Sequence, residues 1–328
     1  MPDPATLAEQ YRVPYSCGVV FHYDKRTSAP FRFDGWAYPS GSNDHAQPGA
    51  VAGHVRWARE HGELGLHGYN HVSLTLHDWA SRDDMVEGLR ACVDWWRRDA
   101  TADLPTSYIP PMNVYDRDGA LAISEGCPSI EVVCGDFWGA VSKGAGREFA
   151  FERWNRKLFC LPRVTSGYVM DYRLKWKMLA SIYELGTWTH FIHPDDILDV
   201  PTGAGAAAYC RNPESRLWRG ASGLRTEFER MLEFVRTTFP WLIFDTATDA
   251  AAKIAKHPGN DVRCHLGEHQ VVVEADHASH VVVYLRGGDR QVGRLDNDAE
   301  LLGTRRTPGR TNCAIRVNPG RTTVEFSR

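Results

Sequence analysis

The sequence predicts an α/β fold followed by a small β-sandwich, and three observations carry that reading. Up to about residue 257, short apolar runs alternate with amphipathic helical stretches, the pattern of a mostly parallel sheet or barrel. After His257-Pro258-Gly259 no helical pattern remains. Residues 261–328 instead carry HQVVVEA, HVVVYLR, CAIRV and TTVEF, β-type runs separated by Gly, Asp and Pro, which read as a small antiparallel sandwich. A chain of 328 residues has room for one large domain, here 1–257, and one small one, here 261–328.

Taken in order, residues 4–12 read as a short helix and CGVVFHY, residues 17–23, as a strand with Asp24 just beyond it. Residues 25–49, rich in Pro, Gly, Ser and aromatics, read as a long irregular loop. Residues 50–60 follow as a helix ended by Gly62, and then a strand runs up to His67. Residues 81–98 form a well-marked helix, with Ser81 as cap, Asp83 and Asp84 at its positive end and Arg97 and Arg98 at its negative end. A strand at 106–109 runs into Pro110-Pro111-Met112-Asn113. A helix at 116–125 and a buried strand at 130–134 come next, and 135–160 read as irregular. Leu161-Pro162-Arg163 leads into a loop, 172–185 is helical, and a strand at 187–192 closes on His193-Pro194-Asp195-Asp196. Residues 200–220 form a Gly/Ala loop whose Gly203-Ala204-Gly205 lacks the preceding strand of a phosphate loop. Helices at 224–238 and 246–256 complete the first domain.

Composition narrows the function classes. A hydrophobic content of 43% and a charged content of 24% are those of an ordinary globular protein, and a net charge of −3 gives no global attraction for nucleic acid or anionic membrane. The eight cysteines are scattered without a C-x-x-C pair, which argues against a structural zinc site and for reduced, buried thiols. The first residues, MPDPATLAEQYRVPYS, lack the apolar core of a signal peptide, and no stretch approaches the length of a membrane span. As written, the sequence reads as cytoplasmic.

The chemistry-bearing stretch is ELGLHGYNHVSLTLH, residues 63–77. His67 and His71 share a face if the chain turns helical there, and two neutral imidazoles at that spacing can share one metal ion. In a parallel sheet or barrel the reactive groups gather at the carboxyl ends of strands. Three candidates sit at such ends: the His67/His71 pair, the Pro110-Pro111-x-Asn113 segment, and His193 with its neighbour His190.

This arrangement resembles the polysaccharide deacetylase superfamily over about residues 4–257. The segment GELGLHGYNH is the most specific match, being the H-x-x-x-H motif of that family; Pro110-Pro111-Met112-Asn113 matches its proline-rich wall and His193 its late catalytic histidine. The resemblance implies a distorted (β/α) barrel of the glycoside hydrolase and deacetylase type. It implies one divalent metal, usually zinc, on an Asp and two His, and hydrolysis of an N- or O-acetyl group on a carbohydrate. Carried over residue by residue, His67 and His71 are metal ligands and His193 protonates the leaving group. Pro110, Pro111 and Asn113 line the substrate groove. Arg163 orients a carboxylate or stands on the surface; Asp195 and Asp196 read as helix N-caps; Trp36 and Tyr38 line a glycan groove or the core.

The family opens with a strand ending in Asp-Asp, and residues 1–60 contain no such pair. Two expectations follow: the first barrel strand and its aspartates are missing, leaving a relative that is inactive as it stands, or Asp24 is the third ligand. The functional expectation is a metal-dependent carbohydrate deacetylase. The alternatives are a non-catalytic glycan-binding or scaffold protein on the same fold and a metal-dependent hydrolase of another amide.

Overall fold

The computed structural model describes residues 2–22, 24–32, 56–99, 103–137, 146–203, 205–206, 210–256, 262–286 and 290–327. The chain divides into two compact units. One comprises Met1–Glu229 with Phe244–Ala255, and the other Arg230–Ile243 with Lys256–Arg328. The second unit therefore takes in a segment well before residue 261, where the sequence placed its start.

In the first unit, strands follow one another in chain order and pair in parallel. β1 (Tyr15–Val19), β2 (Gly62–Leu66), β3 (Ser107–Tyr108), β4 (Val132–Val133) and β5 (Phe159–Cys160) form one sheet, each pairing with the next. β6 (Thr165–Ser166) and β7 (His190–Phe191) form a second parallel pair. A parallel bridge between Asp136 and Arg163 links the chain just beyond β4 to the chain just before β6. β5 falls inside a region the sequence reads as irregular, and β6 inside a predicted loop. Both are two residues long, too short to show an alternating pattern.

The helices lie close to their predicted limits: α1 (Pro2–Tyr11), α2 (Arg82–Asp99), α3 (Arg117–Gly126), α4 (Tyr172–Leu185), α5 (Leu224–Thr238) and α6 (Ala247–Lys256), with residues 56–60 also helical. Local chemistry sets their starts. The Ser81 hydroxyl accepts from Asp84 N at 3.1 Å, Asp116 from Gly119 N at 2.8 Å and Asp171 from Leu174 N at 2.7 Å, each satisfying an N–H that the helix leaves unpaired. Gly186 ends α4 at φ +68°, the left-handed conformation glycine adopts without penalty. Along α2, Met85, Val86, Leu89, Cys92, Val93 and Trp96 recur at helical spacing and are all buried, in one core with Leu66 of β2, Tyr108 of β3, Val133 of β4 and Ile123 of α3. Each such side chain contributes roughly 1.5–3 kcal/mol of burial.

At the amino ends of the strands a carboxylate ties sheet to helix. Glu63 of β2 accepts from Ser16 Oγ of β1 at 3.1 Å, from Thr248 N at 3.0 Å and from Thr248 Oγ1 at 2.8 Å. The Ser16 hydroxyl accepts in turn from Ala247 N at 2.8 Å, so β1 and β2 together satisfy the first N–H groups of α6. The two strands approach so closely that a Cβ on Gly62 would lie 1.9 Å from the Tyr15 carbonyl oxygen.

The second unit carries seven antiparallel strands: β8 (Val262–Leu266), β9 (Gln270–Ala275), β10 (Ser279–Arg286), β11 (Gln291–Leu295), β12 (Glu300–Thr307), β13 (Arg310–Val317) and β14 (Gly320–Ser327). They form a sheet β10-β13-β12 and a sheet β11-β14-β9-β8. Val273, Leu285, Cys313, Ile315, Val317 and Val324, drawn from both sheets, share one buried core, as the inner faces of a sandwich do. Among the described residues no helix is long and apolar enough to cross a membrane. All eight cysteines are free thiols, six of them buried or half-buried in the first unit.

Because Glu63 bonds three groups on two elements, Glu63→Ala leaves donors of Ser16 and of the α6 terminus without their partner. The expected loss is roughly 2 kcal/mol of stability, measured by urea unfolding, with the far-UV circular dichroism of the folded form unchanged.

Candidate functional site

Parallel pairing puts the carboxyl ends of β1 to β7 on one side, and the polar candidates follow those ends. His67 comes one residue after β2. Its N–H donates to the Val19 carbonyl at 2.7 Å, extending the β1–β2 ladder, and its Nδ1 lies 2.6 Å from the Ile109 carbonyl just beyond β3. A carbonyl can only accept, so Nδ1 carries the proton and Nε2 is left as the lone-pair nitrogen. His71 packs its ring against His67, with centroids 4.9 Å apart and planes at 71°. The segment between them is not helical, contrary to the spacing argument. Gly68 at φ +89° and His71 itself at φ +57° turn the chain sharply, and that turn brings the rings together. Left-handed backbone at a histidine is strained and marks the segment as held by its surroundings.

Burial lowers the pKa of His67 to about 4, with nearby His71, Arg163 and His193 opposing its protonation further. Burial also lowers that of His71, with His193 acting in the same direction. Both rings are thus kept neutral at pH 7, the form that binds a metal.

His193 follows β7 by two residues. Its Nδ1 lies 3.5 Å from Asp196 Oδ1 and Arg211 Nε lies 2.8 Å from the same oxygen, both as charge contacts without a hydrogen bond, while Arg211 Nε donates to Asp199 Oδ2 at 2.9 Å. Asp196 is buried, whereas the His193 side chain is 39% exposed, so the ring faces outward over a fixed carboxylate. The Tyr168 hydroxyl donates to the His193 carbonyl at 3.0 Å. Asp196 is therefore not a helix cap as the sequence suggested: the cap position of the short 3-10 turn Pro194–Leu198 is His193, with no side-chain bond to the turn. Arg211 and Tyr168 are neighbours of His193 that the sequence reading did not name, and Asp196 it read only as a cap. The one signal was Asp196 three residues after a strand-end histidine.

His190 has a different environment. Its Nε2 donates to the Gly167 carbonyl at 2.8 Å, and its Nδ1 accepts from the Thr165 hydroxyl at 2.9 Å, which accepts in turn from Trp188 Nε1 at 2.7 Å. Both ring nitrogens are committed within the fold, and the ring stacks on Phe228 at 6.1 Å.

The remaining candidates are placed as follows. Arg163 is buried at 9% exposure rather than on the surface, with its guanidinium carbon 4.0 Å over the Phe191 ring; burial lowers its pKa to about 10. Pro110 and Pro111 are buried too, so they shape the turn beneath the histidines, where Pro111 packs at Gly68, instead of forming a groove wall. Asn113, at φ +64°, lines a cavity of about 300 Å³ with Arg163 and Phe191. Trp36 lies outside the described residues. Asp24 does not join the histidines. Arg26, two residues on, draws it off: the carboxylate accepts from Arg26 N at 3.0 Å and lies 3.3 Å from Arg26 Nε. Among the described residues no group of three or more His, Cys, Asp or Glu is placed to hold a metal ion. The donors fit a divalent ion in two positions, His67 and His71, and do not supply a third.

The low pKa of His190, about 4 against an ordinary 6.5, has a stability consequence. The unfolded chain takes up a proton below about pH 6.5 that the folded ring resists until about pH 4. Stability from this group is fully present above pH 6.5 and is lost as pH falls through that window, by about 3 kcal/mol at most. Urea midpoints measured from pH 7.5 to 4 should show this decline, and His190→Gln should make it shallower, leaving the part that His67 and His71 contribute.

No curated protein matches the chain. Among solved structures, an alpha-amylase from Anoxybacillus aligns with 84% of this chain and 78% of its own at 10% identity and a TM-score of 0.28. An alpha-amylase from H. orenii aligns with 86% of this chain and 65% of its own at 12% identity and a TM-score of 0.25. At such scores neither likeness carries weight for the site. The family match is of another order, covering residues 1–297: the chain belongs to the family described as an uncharacterised protein conserved in bacteria (DUF2194).

Proposed function

We propose that this protein is a hydrolase that removes acetyl groups from a polysaccharide or amino sugar, built on a distorted (β/α) barrel. The single observation that carries the reading is the gathering of His67, His71 and His193 beyond the carboxyl ends of parallel strands, the first two in ring contact and His193 near enough to oppose the protonation of both. Seven parallel strands in chain order, joined by the Asp136–Arg163 bridge, support the barrel. In this reading His67 and His71 would be two of the ligands of one divalent metal, zinc by the chemistry of imidazole ligands, and that ion would supply Lewis acidity toward the acetyl carbonyl. His193 holds the proton for the departing amine or alkoxide, with the buried Asp196 carboxylate 3.5 Å from its Nδ1 to offset the charge.

One observation favours a second reading, a glycan-binding protein without catalysis: Asp24, the carboxylate nearest in sequence to the missing ligand, stands with Arg26. Two measurements separate the readings. Elemental analysis of the purified chain should find about one zinc, absent from His67→Ala at unchanged circular dichroism. Acetate release from N-acetylated oligosaccharides should fall by about 10²–10⁴-fold in His193→Ala. A chain with neither metal nor acetate release sinks the hydrolase, and glycan binding in that same chain would establish the second reading.

A further inference from the structure

The cavity beside the histidines has an electrostatic character that acetyl removal does not require. Arg163 lines it, more than nine-tenths buried, and among the described residues its Nε has no hydrogen-bond partner. A buried guanidinium N–H without an acceptor is costly, and native proteins keep such a group where a ligand satisfies it. The ring of Phe191 covers one face of the guanidinium, so its N–H edge is what remains for a partner. The start of α4 also lines it. Arg173 and Lys177, one turn apart on the same helix face, both line the cavity, and the positive end of a 14-residue helix dipole points the same way. Two acids also line it. Asp171 is engaged as the helix cap at Leu174 N, and Asp136 lies near enough to act on the Arg163 charge. Among the described residues the lining thus carries three cations and two carboxylates, one of them a cap.

We infer that this cavity binds an oxyanion carried by the substrate carbohydrate, a carboxylate, sulfate or phosphate set on the guanidinium of Arg163 and flanked by Arg173 and Lys177. At about 300 Å³ it admits such a group with part of the sugar ring that bears it. Only the assignment of this anion to a substrate rests on the hydrolase reading; the anion site itself stands on the cavity. The preferred substrate is then an acidic polysaccharide rather than a neutral one.

Binding can be measured without catalysis, so failure here and failure of the hydrolase reading are distinguishable. Glucuronate, glucose 6-sulfate, glucose 6-phosphate and neutral glucose are titrated into the full chain, by calorimetry at low ionic strength. At least one acidic sugar should bind about tenfold or more tightly than glucose. The tightest identifies the oxyanion, and the preference should weaken with added salt. Arg163→Gln should abolish the preference. Arg173→Ala with Lys177→Ala, at the cavity rim, should reduce it about threefold or more, and decides the matter if the Arg163 variant does not fold. Equal binding of acidic and neutral sugars, no binding of either, or a preference that survives in the folded variants would overturn the inference.

Discussion

The parallel, in-order pairing of the strands is the constraint on which the rest of the first unit depends. When each strand pairs with the next in the same direction, everything that follows a strand emerges on one side. His67 and His71 lie one and five residues beyond β2, Asn113 five beyond β3, Asp136 three beyond β4, Arg163 three beyond β5, and His193 and Asp196 two and five beyond β7. These residues span some 130 positions of sequence and owe their meeting to nothing local. Strand ends as short as two residues suffice, because direction and order matter here and length does not. The ladder also reaches into the site itself: the bond from His67 N to Val19 O and the bond from Ile109 N to Leu66 O, at 2.8 Å, are sheet bonds made by site residues.

Two histidines three residues apart illustrate how environment assigns a role. His190 lies in β7 and points into the unit, where Gly167, Thr165 and Trp188 exhaust the bonding capacity of its ring and neighbours. His193 lies past the end of the strand, where the chain leaves the sheet, and it meets one buried carboxylate on one nitrogen. A ring with both nitrogens bonded to the fold cannot exchange a proton with a substrate without breaking the fold's own contacts. A ring with one side anchored can. Arg211 completes the contrast, because its contacts to Asp195, Asp196 and Asp199 hold the acidic turn in place beneath His193.

Helices with caps and apolar stripes were legible in the sequence: α4 and α5 fall on their expected residues, and α2 within one residue at each end. The repeated strand–helix order and the late β-rich region were legible for the same reason, since periodicity is a local signal. β5 and β6 were not, being too short to have a period. The candidate site was legible as residue types, not as geometry. His67 and His71 were singled out on a helical argument, yet Gly68 and the left-handed backbone of His71 bring them together. The burial of Arg163 was invisible because it depends on Phe191, 28 residues on, covering the guanidinium. Asp24 shows the opposite failure. The sequence made it a ligand by position, and a neighbouring arginine that any local reading would pass over takes the carboxylate.

β2 shows how one short strand serves stability at one end and chemistry at the other. Side chains alternate along a strand, so Leu64 and Leu66 share one face and enter the helix-packed core, while Glu63, Gly65 and His67 share the other. On that second face Glu63 fastens the amino end to α6, and His67 opens the carboxyl end to the cluster of histidines. Gly65 between them has no room to be anything larger, since a Cβ there would lie 2.5 Å from Ser107 Oγ. The neighbouring strand makes the same accommodation: a Cβ on Gly18 would lie 3.1 Å from His67 Cβ and 2.9 Å from Ile109 Cδ1. The missing side chains of two glycines therefore create the space that His67 and Ile109 fill, and Ile109 supplies the carbonyl that fixes the His67 tautomer. The chemistry-bearing nitrogen of His67 is set by the packing of β1 and β3 around it, so the tautomer, like the location, is a property of the sheet rather than of the motif.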